Sequence, residues 1–140
     1  MYRFLECTVS QYMTRSVETV TRRISLRQLE ALFEQHDFNA FPVVEERKMV
    51  GIITKFDFLR AFIFTTGQMV PRYDDFMKHL VEEVMTEAVV HVEPTAPLTR
   101  VLLVNLKARS FPVVDGNQQL VGIISREDVM RALREATTQL

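Results

Sequence analysis

Hydrophobic positions along this chain follow two nearly identical cycles, and each cycle predicts the same order of elements. A short β-prone segment comes first, followed by a helix-period segment, two strand-like runs joined by a polar turn, and a second helix. The first cycle places these elements at residues 17–20, 26–36, 41–44, 49–53 and 54–64, and the second at 89–92, 98–106, 111–114, 120–124 and from 125 past 133. The pattern predicts an α/β chain of the α+β type, in which a β-α-β-β-α unit is used twice.

Short motifs repeat in the same order, which indicates a duplication. The offset between the copies stays between 70 and 72 residues. The paired motifs are VSQYMT (9–14) with VEEVMT (81–86), FPVV (41–44) with FPVV (111–114), and GIITKFD (51–57) with GIISRED (122–128). We therefore assign residues 1–64 to a first unit, 65–80 to a linker with the start of a connecting helix, and 81–140 to a second unit.

Each pair of strand-like runs is predicted to close through a tight turn. The first turn falls at residues 45–48. The second contains Asp115, Gly116 and Asn117, and glycine and asparagine are residues that readily adopt positive φ. We therefore expect the positive φ angles of the second turn at Gly116 and Asn117.

Composition and charge exclude several classes of function. Of the 140 residues, 47% are hydrophobic and 25% are charged, and the net charge is −1. This balance predicts a soluble globular protein and argues against a dominant electrostatic interaction with nucleic acid. No apolar stretch is long enough to span a bilayer, and the N-terminus, with Glu6 early in it, does not read as a signal peptide. We expect a cytoplasmic protein with neither membrane nor nucleic acid among its partners.

Residues that commonly carry catalysis or bind metal are scattered along the chain. His36, His79 and His91 fall on different predicted elements and do not show metal-ligand spacing. Cys7 is the single cysteine, so no internal disulfide forms, and a small half-buried residue is favoured over a nucleophile. We predict no catalytic residue, no metal site and no required cofactor, and we do not expect an enzyme.

The most informative motif joins the end of a strand to the start of a helix in both cycles. Asp57 follows Thr54 by three residues, and Asp128 follows Ser125 by three residues. Because the first N–H groups of a helix lack internal partners, such a corner favours an anion. The same spacing is that of a capping box, which stabilises the helix and needs no ligand. The residues alone leave both interpretations open.

Together, the three paired motifs resemble those of a tandem pair of cystathionine-β-synthase (CBS) domains, an arrangement called a Bateman module. The resemblance covers about residues 9–135. It implies two units packed about a pseudo-two-fold axis, with two clefts between them that often hold adenosine-containing ligands.

The resemblance also implies three groups of ligand contacts. The ribose hydroxyls are expected on Asp128 and Asp57, because an ionised carboxylate accepts hydrogen bonds from two adjacent hydroxyls. The residues expected near the phosphates are Ser125, Arg109, Arg126, Thr54 and Lys55. The residues expected around the base are Thr14, Val17 and Ala40 for the cleft of Asp128, and Thr86, Val89 and Ser110 for the cleft of Asp57.

The two expected clefts differ in their basic residues. Arg109 stands just before the second FPVV strand, whereas Asn39 holds the corresponding position before the first. A phosphate is stabilised by a nearby cation. We therefore expect the cleft of Asp128 to prefer the more highly phosphorylated ligand.

Two functions are compatible with these observations. In the first, the protein is a regulatory sensor that binds AMP, ADP, ATP or S-adenosylmethionine and responds by a change of conformation or dimer packing. In the second, it is a ligand-independent module whose apolar helices form a homodimer or bind another protein. A homodimer is expected in both cases, because members of the family commonly pair through these helices. We recognise no output domain in the chain and expect the regulated protein to be a separate one.

Overall fold

The computed structural model describes residues 2–65, 73–87, 89–104 and 110–138. The helices are α1 (Tyr2–Glu6), α2 (Val9–Tyr12), α3 (Leu26–Gln35), α4 (Lys55–Thr65), α5 (Tyr73–Phe76), α6 (Leu98–Val104) and α7 (Arg126–Thr138), with a 3₁₀ turn at Val81–Glu83. The strands are β1 (Ala40–Glu45), β2 (Lys48–Thr54), β3 (Ser110–Val114) and β4 (Leu120–Ser125). None of the helices in these described ranges is long and apolar enough to cross a bilayer.

The chain divides into two compact units, which we name by their position in the sequence. The central unit is Glu18–Val89, and the terminal unit combines Met1–Val17 with Val90–Leu140. These boundaries differ from those of the sequence repeats, because the segment that opens each repeat packs in the unit that holds the other repeat's hairpin. Within the predicted linker at 65–80, α5 forms near the end, and residues 66–72 lie outside the described residues.

The central unit is built on the antiparallel hairpin of β1 and β2. Leu26 of α3 is fully buried and shares one core with Phe41 and Ile53 of the hairpin. The helix begins at Leu26 because Ser25 forms a capping box with Gln28, in which the Ser25 N–H donates to Gln28 Oε1 over 2.9 Å. The cap and the apolar face together place α3 on the core of this unit.

The terminal unit has the same plan on the antiparallel hairpin of β3 and β4. Leu98 of α6 is the counterpart of Leu26 and is also fully buried. Its core contains Phe111 and Ile124, the counterparts of the two hairpin residues of the central core. The duplicated sequence therefore produces two cores with the same residue types at matching positions.

A glycine in each hairpin permits the close crossing of a Met-Thr segment. Thr14 and Ile123 exchange two backbone hydrogen bonds, of 2.8 and 2.9 Å. A Cβ on Gly122, next to Ile123, would lie 2.8 Å from the carbonyl oxygen of Thr14. Gly51 has the same relation to Thr86, also at 2.8 Å. Because this distance is too short for a carbon atom against a carbonyl oxygen, both positions require a residue without Cβ.

The β-prone segments that open each cycle form less structure than the sequence predicts. Residues 17–20 and 89–92 do not form strands, and each contributes one bridge residue: Val20 beside Val43, and Val92 beside Val113. A segment this short that pairs at one residue gains few ladder hydrogen bonds. It therefore remains an extended connection, while the four predicted hairpin strands are confirmed.

The second hairpin turn uses positive φ at a residue other than those predicted. Gln118 has a φ of 64°, whereas no described glycine has a positive φ. Asp115 Oδ1 accepts the N–H of Asn117 over 2.9 Å and that of Gln119 over 3.0 Å. This side-chain cap organises the turn and shifts the left-handed position beyond Asn117, so the prediction for Gly116 and Asn117 is wrong.

Candidate functional site

Two carboxylates are buried at the points where a strand runs directly into a helix. Asp57 is 6% exposed and Asp128 is 7% exposed, and they are the buried charged residues of the part of the chain that the structure describes. Asp57 lies in the first turn of α4, directly after β2, and Asp128 lies in the first turn of α7, directly after β4. Because burial of an uncompensated charge is costly, each carboxylate needs polar partners.

In the central unit, a reciprocal cap satisfies one oxygen of Asp57. The Thr54 N–H donates to Asp57 Oδ2 over 3.1 Å, and the Asp57 N–H donates to Thr54 Oγ1 over 2.9 Å. These two bonds confirm the capping-box interpretation at this corner. The cap engages Oδ2 and does not involve Oδ1.

In the terminal unit, the corresponding cap has one hydrogen bond more. The N–H and the hydroxyl of Ser125 each donate to Asp128 Oδ2 over 2.9 Å. The Asp128 N–H donates to Ser125 Oγ over 3.2 Å, so this hydroxyl donates and accepts at once. The capping box is confirmed here as well, and again it uses Oδ2.

An arginine one turn further along each helix faces the other carboxylate oxygen. Arg60 Nη2 lies 3.4 Å from Asp57 Oδ1, and Arg131 Nη2 lies 3.6 Å from Asp128 Oδ1. A strong charge-assisted hydrogen bond measures about 2.7–2.9 Å. Arg60 donates a long hydrogen bond to Asp57 Oδ1, whereas Arg131 attracts Asp128 from beyond hydrogen-bond distance. Because a carboxylate oxygen has two lone pairs, Oδ1 of each aspartate retains capacity for a further donor.

Sequence reasoning missed these two arginines. Their signal is present in the repeat, since Arg60 and Arg131 each stand three residues after the aspartate in their own copy. Residues three apart are neighbours on a helix surface. A basic residue at this spacing from a buried acid is thus a recognisable sign of a side chain that faces the site.

The basic residues predicted near a phosphate stand in different surroundings. Lys55 is the first residue of α4, and its ammonium lies 5.7 Å from the centre of the Phe33 ring. Arg126 is the first residue of α7 and is exposed. Arg109 lies outside the described residues. Both helices therefore begin with a basic residue, and phosphate binding by these side chains stays a prediction.

The residues predicted around the base are distributed over the two units. The terminal unit, with Asp128, holds Thr14, Val17 and Ser110, and the central unit, with Asp57, holds Thr86, Val89 and Ala40. Backbone pairing sets Ser110 opposite Ser125 and Ala40 opposite Thr54. These two residues thus lie beside the motif of their own unit, whereas the resemblance assigns each to the other cleft. The role of all six residues at a base stays a prediction.

Two grooves are lined by residues of the terminal unit, and the described residues that line them do not include Asp128. One, of about 520 Å³, is lined by residues of α1, α2 and the end of α7, among them Tyr12 and Glu135. The other, of about 540 Å³, is lined by residues between His91 and Arg100. Over the described ranges, no three His, Cys, Asp or Glu side chains come together as metal ligands.

Comparison with protein families gives a match to two segments of the chain. The model described as the CBS domain matches residues 9–63 and again residues 81–135. The protein MJ0188 of Methanocaldococcus jannaschii is 35% identical over 134 residues, which cover 93% of this chain and 45% of MJ0188. Three further relatives are also longer, and the chain spans 22 to 46% of the length of these four proteins.

Solved structures match nearly the whole chain. The structure of CBSX2 in complex with AMP, a protein of Arabidopsis thaliana, has a TM-score of 0.75 and 25% identity, and covers 93% of this chain and 98% of that one. The CBS domain pair of MJ0100 in complex with 5′-methylthioadenosine and S-adenosyl-L-methionine has a TM-score of 0.72 and 26% identity, with coverage of 93% and 98%. The ligands of both structures contain an adenosine group.

Proposed function

Because this chain belongs to the CBS-domain family, we propose that it is a regulatory ligand-sensing module and that it has no catalytic role of its own. An adenosine-containing ligand such as AMP, ADP, ATP or S-adenosylmethionine binds at the corner of Asp128, at that of Asp57, or at both. Binding changes the conformation of the module or the packing of its dimer. The ligand is a regulatory signal in this proposal, and the fold requires no cofactor.

The observation that carries this proposal is the incomplete use of the two buried carboxylates. In each, the helix cap engages Oδ2, and the arginine approaches Oδ1 no closer than 3.4 Å. A carboxylate oxygen has two lone pairs. Oδ1 of each aspartate therefore retains capacity for a hydroxyl donor, such as one from a ribose.

A nucleotide places complementary groups at such a corner. Its two ribose hydroxyls are adjacent donors, and each hydrogen bond to a charged acceptor contributes about 1.5–3 kcal/mol. Its phosphates are stabilised by the positive end of a helix and by the hydroxyl and basic residues at that end. Thr54 with Lys55, and Ser125 with Arg126, provide these groups in the two units.

The ligands of the two solved relatives support an adenosine requirement. AMP, 5′-methylthioadenosine and S-adenosyl-L-methionine share adenosine and differ at the 5′ position. In the proposal, the aspartates therefore recognise the common ribose, and the groups at the 5′ end decide the preference among ligands. The corner of Asp128 prefers the more highly phosphorylated ligand, because Arg109 precedes the second hairpin where Asn39 precedes the first.

Calorimetric titration with AMP, ATP and S-adenosylmethionine tests the proposal on wild-type protein and on Asp128→Asn and Asp57→Asn. Asparagine keeps one oxygen that accepts the cap N–H, but it loses the negative charge. We expect the affinity at the changed corner to fall about ten- to a hundredfold, while thermal stability stays close to that of the wild type. This pair of readouts separates ligand binding from helix capping.

The matched control is Glu93→Gln, which removes one negative charge from an exposed residue of the terminal unit. Its affinities should equal those of the wild type. If folded wild-type protein, free of carried-over nucleotide, binds none of the three ligands, the sensor proposal is rejected. If the asparagine variants bind as tightly as the wild type, the assignment of the ribose to Asp128 and Asp57 is rejected.

The outer face of α4 favours a second candidate function, that of a ligand-independent interaction module. Phe56, Leu59 and Ile63 follow one another at helical spacing, Phe64 comes next to Ile63, and the four are 56 to 78% exposed. Since α4 also has apolar residues on its inner face, it is apolar on both sides, which is typical of a helix that becomes buried in an assembly. We propose that this outer face mediates the homodimer expected for the family.

Size-exclusion chromatography with light scattering tests the dimer through Ile63→Glu. A buried charge in an apolar contact is strongly unfavourable, so this variant should be monomeric at concentrations where the wild type is dimeric. Gln35→Glu, on the exposed end of α3, adds the same charge elsewhere and should leave the dimer intact. A monomeric wild-type protein at concentrations of about 100 μM would exclude a stable dimer.

A further inference from the structure

The two arginines that face the buried carboxylates differ in what holds them. Arg131 Nη2 donates to the backbone carbonyl of Tyr12 over 3.0 Å, and its guanidinium lies 5.6 Å from the centre of the Tyr12 ring. Arg60 lies 5.7 Å from the ring of Phe56, which belongs to the same helix. Arg131 is therefore anchored to α2, whereas the described contacts of Arg60 lie within α4.

The anchor of Arg131 is itself held in place. The Tyr12 hydroxyl donates to Glu135 Oε2 over 3.0 Å, so the tyrosine is tied to α7 at the hydroxyl end as well as at the backbone. This hydrogen bond to a carboxylate raises the pKa of Tyr12 above its ordinary value and keeps the phenol a donor. The matching position of the other repeat is Val84, which has neither a ring nor a hydroxyl. The tyrosine anchor is thus specific to the terminal unit.

We propose that Tyr12 and Arg131 form a positioning pair that holds the Asp128 carboxylate ready for ribose hydroxyls and makes this corner the tighter of the two. The inference rests on the proposed function, and it adds two residues that act without touching the ligand. It also states a rank order of affinity between the corners of Asp128 and Asp57.

The physical basis is the second contact that restrains the arginine. Arg131 Nη2 lies 3.6 Å from Asp128 Oδ1 and also donates to the Tyr12 carbonyl, so the two charges attract while the lone pairs of the oxygen are not taken up. The positive charge therefore orients the carboxylate without replacing the ligand. An arginine released from this second contact samples other rotamers, and the ligand then meets a less preorganised acceptor.

The test measures affinities for AMP and for adenosine in an Asp57→Asn background. This change weakens the corner of Asp57, so the measured binding is that of the corner of Asp128. Arg131→Gln should weaken both ligands about fivefold, and Tyr12→Val, which installs the residue of the other repeat, about threefold. The factor should be equal for AMP and adenosine, because the pair acts on the ribose acceptor and not on the phosphate.

Tyr12→Phe keeps the ring and the backbone carbonyl but loses the hydroxyl that is tied to Glu135. It should weaken both ligands less than Tyr12→Val does, and again equally. The matched control for general effects is a variant outside the positioning pair. Arg100→Gln removes the same charge from an exposed residue of α6 in the same unit and should bind like its parent. A merely structural role for Arg131 would lower thermal stability without an equal loss for the two ligands.

Several outcomes overturn the inference. A loss confined to AMP makes Arg131 a direct phosphate ligand, and unchanged affinity in Arg131→Gln or Tyr12→Val removes the positioning role. If Asp57→Asn abolishes binding that the wild type shows, the rank order is wrong while the sensor function stands. If the wild type binds neither ligand, the proposed function fails together with this inference.

Conservative variants keep the test open if a primary variant does not fold. Arg131→Lys retains the charge, but a single ammonium lacks the planar fork that contacts a carbonyl, a carboxylate and a ring together. Tyr12→Leu retains bulk without an aromatic face. Both should give a smaller loss of the same kind, again equal for AMP and adenosine.

Discussion

The central and terminal units descend from one repeated sequence. The features that they share are places where two backbone segments, or a side chain and a backbone, are in close contact. Both hairpins carry a bulge at the same place, between Val43 and Val44 in β1 and between Val113 and Val114 in β3. In both, a Met-Thr segment crosses a glycine, and a hydroxyl and an aspartate cap the next helix. These features leave little room for other residues, so the two copies retain them.

The two units differ in their exposed faces and in the surroundings of their arginines. The outer face of α4 carries Phe56 and Ile63, where α7 has Glu127 and Arg134 at the matching positions. Arg131 of the terminal unit has the tyrosine anchor that the central unit lacks. A duplicated backbone therefore leaves side chains free to specialise: in our proposals, the central unit towards assembly and the terminal unit towards ligand binding.

The largest effect on stability is expected at Gly51 and Gly122, the crossed glycines, which the Met-Thr segments pass in both units. Gly122→Ala and Gly51→Ala each place a Cβ 2.8 Å from a backbone carbonyl oxygen. The backbone must shift to relieve this contact, and overpacking of this kind costs about 1–3 kcal/mol. Both variants should lower the free energy of unfolding by similar amounts in chemical denaturation.

Gly116→Ala is the matched control for the glycine variants, because a Cβ there meets no atom within 4 Å and the residue has no positive φ. It should leave the free energy of unfolding unchanged or slightly raised. Loss of stability in only one of the two crossed-glycine variants would show that the copies do not share this constraint.

Removal of a helix cap should lower the free energy of unfolding less than the glycine changes do, and by a different amount in each unit. Ser125→Ala removes a hydroxyl that both accepts from Asp128 and donates to it, whereas Thr54→Ala removes one that accepts from Asp57. Loss of an N-cap costs about 0.5–2 kcal/mol. We expect the serine variant near the upper end of this range and the threonine variant near the lower end, in denaturation at neutral pH.

The control for the caps is Thr95→Ala, which changes an exposed hydroxyl residue of the terminal unit. It should stay within about 0.5 kcal/mol of the wild type. Equal losses in the two cap variants would mean that the extra hydrogen bond of Ser125 contributes nothing to stability.

The smallest expected effect concerns the residue that caps the turn before each Met-Thr segment. Glu83 accepts the Leu80 N–H over 2.6 Å, whereas Gln11 accepts the Thr8 N–H over 3.0 Å. The Leu80 N–H and then His79 lower the pKa of Glu83 below its ordinary value. Because the folded pKa lies below the unfolded one, Glu83 stabilises the fold above about pH 4.3 and ceases to do so as the pH falls through the folded pKa.

Glu83→Gln should therefore remove part of the fall in the free energy of unfolding between about pH 5 and pH 3. Glu82→Gln, an exposed neighbour of the same charge, should keep the wild-type profile. Gln11→Glu should add acid dependence through the terminal unit. An unaltered acid profile in Glu83→Gln would contradict a stabilising role for the ionised cap.

Local patterns were enough to predict the hairpins, the helices after them and the two caps. Alternating apolar positions and the repeated FPVV strands identified β1 to β4, because strand pairs with buried faces tolerate little else. The positive φ of the second turn was misplaced, because the Asp115 side chain determines which residue becomes left-handed. A residue's propensity does not contain this information, since it depends on the hydrogen bonds that the side chain makes in the folded loop.

The sequence was sufficient to identify the two aspartates of the candidate site, but it did not identify the residues that surround them. Asp57 and Asp128 stand in a motif with local chemistry, so the repeat was sufficient to find them. The arginine contact to Tyr12 joins residues 119 positions apart. No periodicity links residues so distant, and the pairing appears only when α2 and α7 pack in one unit.

The sequence by itself determined the duplication, the family resemblance, the order of elements and the capped strand-to-helix corners, because these depend on contacts between residues a few positions apart. Only the tertiary structure decided that the opening segment of each repeat packs on the hairpin of the other, and that Arg131 is anchored to α2 whereas the described contacts of Arg60 lie within α4. Both depend on long-range packing, in which a backbone carbonyl or an aromatic ring from a distant segment becomes the partner. Two copies of nearly the same motif thereby acquire different surroundings.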